Sequence, residues 1–96
     1  MSWRLTLAWK VEIDKDAQRY LAKLDKPIAR RIVAKLRQIS ELNDPRMQGK
    51  GLTGNLAGLW RYRVGDYRLV CLIEDDVMVV LVVDVNHRSQ VYKGRS

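Results

Sequence analysis

The second half of the chain has the repeating pattern of a β-meander, and this pattern constrains the fold more than any other feature. Apolar and polar residues alternate or form short apolar runs, and each run stops at a Gly-Asp or an acidic turn. Successive strands joined by tight turns pair antiparallel. The predicted strands are residues 59–64, 67–73 and 77–85, with turns at residues 65–66 and 74–76.

Arginines fall on one face of this meander. Arg61 and Arg63 are two residues apart, so they share a face of the first strand. Trp60 and Tyr62 point the other way, and core packing is the preferred interpretation of both. Arg68 adds a further cation on the second strand.

The residues after the third strand hold the only histidine of the chain. His87 and Arg88 come directly after the strand, and Tyr92 follows four residues after Arg88. Arginines bind phosphate oxygens, and histidine or tyrosine can transfer protons. The combination suits a polyanion whose phosphate is to be cut.

The first half of the chain predicts one strand and a helical hairpin. Residues 3–13 alternate with period two, Asp14 is a suitable N-cap, and Pro27 suits the first turn of a second helix. Residues 46–58 are predicted to be a connector. The predicted fold is a small single α+β domain over residues 1–96, in the order β-α-α-β-β-β. Its helical hairpin packs on one face of an antiparallel sheet.

Composition narrows the class of partner. The chain has 96 residues and a net charge of +7, which suggests a nucleic acid or an acidic protein partner. Candidate phosphate contacts outside the meander are Arg30, Arg31 and Lys50, although a solvated helix face explains the two helical arginines equally well. The lone Cys71 predicts a reducing, cytoplasmic setting, and no apolar run reaches the length of a membrane span. One Cys and one His predict no metal site, and no cofactor motif is present.

The chain resembles the RelE/ParE superfamily of bacterial toxins from type II toxin–antitoxin modules, and is most similar to the RelE branch. The resemblance covers nearly the whole chain. It is carried by the strand and helical hairpin and by three segments: Leu-Trp-Arg-Tyr-Arg at 59–63, Gly-Asp-Tyr-Arg-Leu-Val at 65–70, and Asp-Val-Asn-His-Arg-Ser-Gln-Val-Tyr at 84–92.

This resemblance implies a RelE-like fold and an endoribonuclease that cuts mRNA on the translating ribosome. It also implies a cognate antitoxin that blocks the toxin. By position, Arg61 and Arg63 match the paired basic strand residues of the family, Arg68 the arginine of its Tyr-Arg-Leu strand, and Tyr92 its tail tyrosine. Arg88 matches a tail arginine, but the short spacing to Tyr92 leaves open which one. Asn86 stands where the family often has glycine.

The chemistry implied by the family requires no metal, because the RNA supplies its own 2′-hydroxyl nucleophile. Arginine is always charged, so Arg61, Arg63 and Arg68 are assigned to stabilise the charged phosphorane, with Arg68 on the scissile phosphate. Either His87 or Tyr92 could take the proton, and the sequence does not choose between them. Two other functions remain open: a ParE-like inhibitor of DNA gyrase, and a basic interaction module without catalysis.

Overall fold

The computed structural model describes residues 9–89. Its regular elements are β1 (Lys10–Ile13), α1 (Lys15–Ala22), α2 (Lys26–Ser40), β2 (Lys50–Gly51), β3 (Leu59–Val64), β4 (Tyr67–Glu74) and β5 (Val79–His87). Residues 3–8 of the predicted first strand lie outside the described part of the chain. The α+β fold and the helical hairpin predicted from the sequence are confirmed.

The five strands form one sheet in the order β1-β5-β4-β3-β2. Strands β3 to β5 pair antiparallel, as the meander pattern predicts, and β2 pairs antiparallel with β3. Two features were not predicted. The first strand pairs parallel to β5, so the sheet is mixed, and the connector contributes the two-residue strand β2 at its opposite edge.

Both helices begin where the sequence predicts. α1 starts directly after Asp14, whose side chain makes no capping hydrogen bond, and Pro27 occupies the first turn of α2. The buried side of α2 presents Ile32, Leu36 and Ile39 to the sheet. The sequence also assigns Val33 to this apolar stripe, but it is 44% exposed. None of the helices within residues 9–89 is long and apolar enough to cross a membrane.

The core lies between the helices and one face of the sheet, which we call the helix face. Tyr62 is 1% exposed and belongs to this core, so its predicted packing role is confirmed; Trp60 packs against the same cluster. The Tyr62 hydroxyl donates a 2.8 Å hydrogen bond to the carbonyl oxygen of Pro45. This bond fastens the connector to the middle of the sheet.

One extra residue in β5 changes which face its side chains occupy. Val70 pairs with Asp84 while Cys71 pairs with Val82, so Val83 has no partner across the strand pair. A β-bulge of this kind shifts the alternation of the strand by one residue. Strict alternation from Val82 therefore assigns the residues after the bulge to the wrong face of the sheet.

Candidate functional site

The three strand arginines lie on the sheet face opposite to the helices, which we call the arginine face. Arg63 pairs directly with Arg68 across β3 and β4, because the two-residue turn between the strands fixes their register. Arg61 pairs with Val70, one strand position further along the same face. Side chains that oppose each other in antiparallel strands are close neighbours, so the structure brings these cations together.

Two of these arginines meet the tail arginine in a pocket at the β3–β4 turn. This arginine pocket has a volume of about 130 Å³ and is lined by Arg63, Gly65, Asp66, Tyr67, Arg68 and Arg88. The backbone N–H of Arg88 donates to the Asp66 carbonyl oxygen at 2.8 Å, which fixes the start of the tail. A guanidinium nitrogen of Arg88 lies 3.8 Å from a carboxylate oxygen of Asp66. Among residues 9–89, Asp66 is the only acidic residue that lines the pocket.

Positive charge on the arginine face is largely uncompensated. Within residues 9–89, none of the ion pairs involves Arg61, Arg63 or Arg68. Partial burial lowers the pKa of Arg61, and the charges of Arg63 and Arg68 lower it further. The Nε atom of Arg61 is buried and has no hydrogen-bond partner among residues 9–89. Such a cluster repels itself, and a polyanion would relieve the repulsion.

His87 lies on the helix face, away from the strand arginines. It pairs with Tyr67 at the end of β5, and the two rings make an edge-to-face contact at 5.0 Å. Its Nδ1 atom accepts a hydrogen bond from the N–H of Ser89 at 3.2 Å and lies 2.8 Å from the Ser89 hydroxyl. The backbone of His87 is also hydrogen-bonded to the Tyr20 hydroxyl. These contacts anchor the tail to α1 and β4.

The remaining candidate residues are placed as follows. Lys50 pairs with Arg61 across β2 and β3, which extends the arginine face to the edge of the sheet. Arg31 reaches the β3–β4 turn beside Gly65. Arg30, its neighbour in α2, instead lines a different depression together with Val33. Tyr92 lies outside the described residues.

Sequence reasoning missed two residues that the structure places at the site. Asp66 was assigned only to the turn, and no local signal marks it as the neighbour of Arg88. Lys35 was noted on α2 but was not among the candidate contacts. Its spacing of four residues from Arg31 is the signal that could have marked Lys35 as a further phosphate contact, since residues four apart share one side of a helix.

The described residues offer cations for an anion but no ligand set for a metal. Within residues 9–89, no group of three or more His, Cys, Asp or Glu side chains could hold a metal ion. Asp66 lines a pocket dominated by three arginines. The arrangement is therefore suited to bind and polarise a phosphate.

Comparison with known proteins identifies the family of the chain. The sequence profile of the family described as "ParE toxin of type II toxin-antitoxin system, parDE" matches residues 11–92. The chain belongs to the RelE/ParE superfamily of toxins. The match includes both helices, the whole of β2 to β5, β1 except Lys10, and every candidate site residue named above, Tyr92 among them.

Curated relatives of this superfamily member include two toxins of Mycobacterium tuberculosis. Toxin RelG is 38% identical over 50 residues, which cover 52% of this chain and 58% of the relative. Toxin RelE is 40% identical over 52 residues, which cover 54% of each chain. The chain thus aligns with little more than half the length of these curated relatives.

Solved structures of RelE toxins have the same fold over most of the chain. One chain of the RelBE2 toxin–antitoxin complex from Mycobacterium tuberculosis superposes with a TM-score of 0.78 and 31% identity, covering 88% of this chain and 97% of that one. The isolated RelE toxin of E. coli gives a TM-score of 0.71 and 27% identity, with 92% and 95% covered. The helical hairpin and five-stranded sheet are therefore a RelE-like fold.

Proposed function

We propose that this protein is the toxin of a type II toxin–antitoxin system and that it cuts mRNA on the translating ribosome, without a metal ion. The arginine pocket carries the proposal. Three arginines converge there on a volume of about 130 Å³. A site of this kind stabilises the negative charge that builds on a phosphate during attack by the neighbouring 2′-hydroxyl.

Arg68 is the proposed contact to the scissile phosphate. It stands opposite Arg63 in the strand register and lines the pocket together with Arg88. A guanidinium binds two phosphate oxygens at once and stays charged throughout the reaction. Arg61 and Lys50 continue the positive face towards β2 and are assigned to the RNA backbone.

The position of His87 argues against its being the proton acceptor, and Tyr92 is therefore the proposed one. His87 lies on the helix face, and its Nδ1 atom is already engaged by Ser89. The imidazole would therefore have to leave these contacts and cross to the other face to reach a phosphate held by Arg68. Tyr92, further along the same tail, is the remaining candidate. His87 is assigned to anchoring the tail that carries Arg88.

A cognate antitoxin is the proposed protein partner. The structure most similar in TM-score among those described above is a chain of a toxin–antitoxin complex. The net charge of +7 favours an acidic segment over a neutral one. An antitoxin that covers the arginine face would neutralise the charge repulsion there and block access of RNA at the same time.

The test is a cleavage assay in a purified translation system, with the 5′ ends of the mRNA fragments mapped. Arg68→Ala should lower the cleavage rate by roughly 10²–10³-fold, the usual loss when one electrostatic stabiliser is removed. Arg19→Ala is the matched control, because Arg19 is exposed on α1 and pairs only with its helix neighbour Asp16. Tyr92→Phe measures the contribution of the phenol.

Cuts that require ribosomes and disappear in Arg68→Ala are the expected result. If Arg68→Ala and Arg19→Ala cut equally well, the pocket is not the phosphate site. Efficient cutting of free RNA would contradict the dependence on ribosomes.

Inhibition of DNA gyrase is the second candidate function, because the matching family is described by its ParE toxins. The two candidates are separated by a supercoiling assay. A folded protein that blocks gyrase and leaves mRNA intact in the translation system would replace the first proposal with the second.

A further inference from the structure

A second cationic surface borders the arginine pocket on the other side of the β3–β4 turn. Arg31 and Lys35 of α2 are four residues apart and share one side of the helix. Together with Gln38 they form what we call the α2 ledge. The ledge lines an open depression of about 470 Å³ with Arg63, Val64 and Gly65. Arg63 and Gly65 also line the arginine pocket, so the two surfaces are continuous.

Gly65 is the junction between the two surfaces. Its φ is +59°, a left-handed conformation that favours glycine, and it lets β3 turn tightly into β4. A side chain at this position would also meet α2, because a Cβ atom would lie 3.1 Å from a guanidinium nitrogen of Arg31. The bare turn thus lets Arg31 approach the rim of the arginine pocket.

The α2 ledge is cationic and open to a ligand. Within residues 9–89, no acidic residue lines its depression and neither Arg31 nor Lys35 takes part in an ion pair. Lys35 is positioned by a neutral partner, since its ammonium group donates to the Gln48 side-chain oxygen at 3.2 Å. β2 pairs with β3 only at Trp60 and Arg61, so no strand covers the edge of β3 next to the ledge.

We propose that the α2 ledge binds the backbone phosphates of substrate RNA next to the nucleotide held in the arginine pocket. This inference rests on the proposed function and extends it from one phosphate to a row of phosphate contacts that runs from the arginine pocket to Arg31 and Lys35, which we call the track. A single strand that leaves the pocket over Gly65 would meet Arg31 and then Lys35, in a depression whose lining residues within 9–89 include none that is acidic. Such contacts to phosphate are independent of sequence and give binding a steep salt dependence.

The other side of α2 provides the matched control. Arg37 is exposed on the same helix, but it lines a depression with Trp9, Val11 and Ile13 near the opposite edge of the sheet. Neutralising Arg37 removes the same charge from the same helix and leaves the ledge intact. If RNA binding depends only on the total positive charge, Arg31→Gln and Arg37→Gln should weaken it equally. If the ledge contacts phosphates directly, Arg31→Gln should weaken it more.

The experiment measures binding of 2′-O-methyl oligoribonucleotides, which cannot be cut because the attacking hydroxyl is blocked. A dinucleotide has a single internucleotide phosphate, which the arginine pocket would hold, and an octanucleotide also has phosphates for the ledge. Wild type should bind the octanucleotide more tightly. Arg31→Gln should weaken octanucleotide binding roughly tenfold, the usual cost of one charge-assisted contact, and leave dinucleotide binding unchanged. The slope of log K against log salt should fall by about 0.7 for each phosphate contact removed, with Lys35→Gln adding to Arg31→Gln.

Equal losses in Arg31→Gln and Arg37→Gln, or equal affinity of wild type for the two oligonucleotides, would overturn the track. The track would also be overturned if Arg31→Gln lowered the affinity for empty ribosomes and not for the octanucleotide, because the ledge would then bind ribosomal RNA rather than the substrate strand. The proposed function can fail separately. If octanucleotide binding depends on Arg31 but the protein does not cut mRNA, RNA binding by the α2 ledge is supported and the proposed endoribonuclease activity is refuted.

Discussion

Replacing Arg61 by methionine should stabilise the fold while it weakens the binding of RNA. Arg61 is partly buried beside Arg63 and Arg68, whose charges lower its pKa. Its buried Nε atom lacks a hydrogen-bond partner. Methionine keeps an unbranched apolar stem, although it is shorter than arginine, and removes both the charge and the unpaired donor.

The magnitude follows from these two contributions. Like charges on neighbouring strands cost about 0.2–1 kcal/mol per pair. An unsatisfied buried donor costs about 1–3 kcal/mol, and its removal recovers part of that. We therefore expect the free energy of unfolding to rise by about 1–3 kcal/mol. For a domain of this size, each 1 kcal/mol raises Tm by roughly 4–8 °C.

Thermal and urea unfolding measure the effect, and Arg46→Met is the matched control. Arg46 lies 3.1 Å from Asp44 and 2.6 Å from Asp75, and it stacks over the Trp60 ring at 5.8 Å. The same chemical change should therefore destabilise the protein at position 46 and stabilise it at position 61. Raising NaCl from about 0.1 to 1 M shortens the Debye length from about 10 to 3 Å, so it should reduce the advantage of Arg61→Met.

A lower Tm for Arg61→Met would refute the reasoning, because the arginine face would then contribute to stability. A polyanion provides a second check. An RNA oligonucleotide that binds the folded state should raise the Tm of wild type more than that of Arg61→Met. These two results together would show that the arginine face lowers the stability of the fold and favours the binding of a polyanion.

Three further predictions concern single side chains. Tyr62→Phe leaves the Pro45 carbonyl unpaired in the core and should lower the free energy of unfolding by about 1–3 kcal/mol in urea, at an unchanged m value; a loss below about 0.5 kcal/mol would contradict the role of this bond. Burial raises the pKa of the Cys71 thiol from 9.0 to about 12, so the folded chain keeps a proton that the unfolded chain loses. Its contribution is complete below pH 9.0 and is lost between 9.0 and about 12. Above pH 9.0, the free energy of unfolding of Cys71→Ala should therefore rise relative to that of wild type by about 1.4 kcal/mol per pH unit. Parallel pH profiles of the two proteins would disprove this. Tyr20→Phe removes the hydroxyl bonded to the backbone of His87, so hydrogen exchange of the His87 amide should accelerate with little change elsewhere; uniform acceleration would indicate global destabilisation instead.

The period of the sequence was sufficient to predict the arginine face. Alternation along residues 59–64 separates Arg61 and Arg63 from Trp60 and Tyr62, and the structure confirms that separation. The two-residue turn at Gly65 then fixes the register that sets Arg63 against Arg68. The separation of the two faces could be predicted because strand parity is a local property of the chain.

Strict alternation does not hold along β5, where one residue is added between the sheet partners of Val70 and Cys71. Strict alternation from Val80 and Val82 would put Asn86 on the helix face and His87 on the arginine face. The bulge reverses both positions. Nothing local in residues 79–87 marks the bulge, because it arises from fitting β5 to its neighbours.

The sequence by itself determined the helical hairpin, the meander strands, the two faces of β3 and the excess of positive charge, because these follow from short periods and from residue types. Only the tertiary structure decided which distant groups meet. It set the tail residue Arg88 beside Arg63 and Arg68, turned His87 towards α1, and brought Arg31 of α2 against Gly65. Such meetings depend on strand order, on the bulge and on the packing of helices against the sheet, and these depend on interactions between residues far apart in the chain.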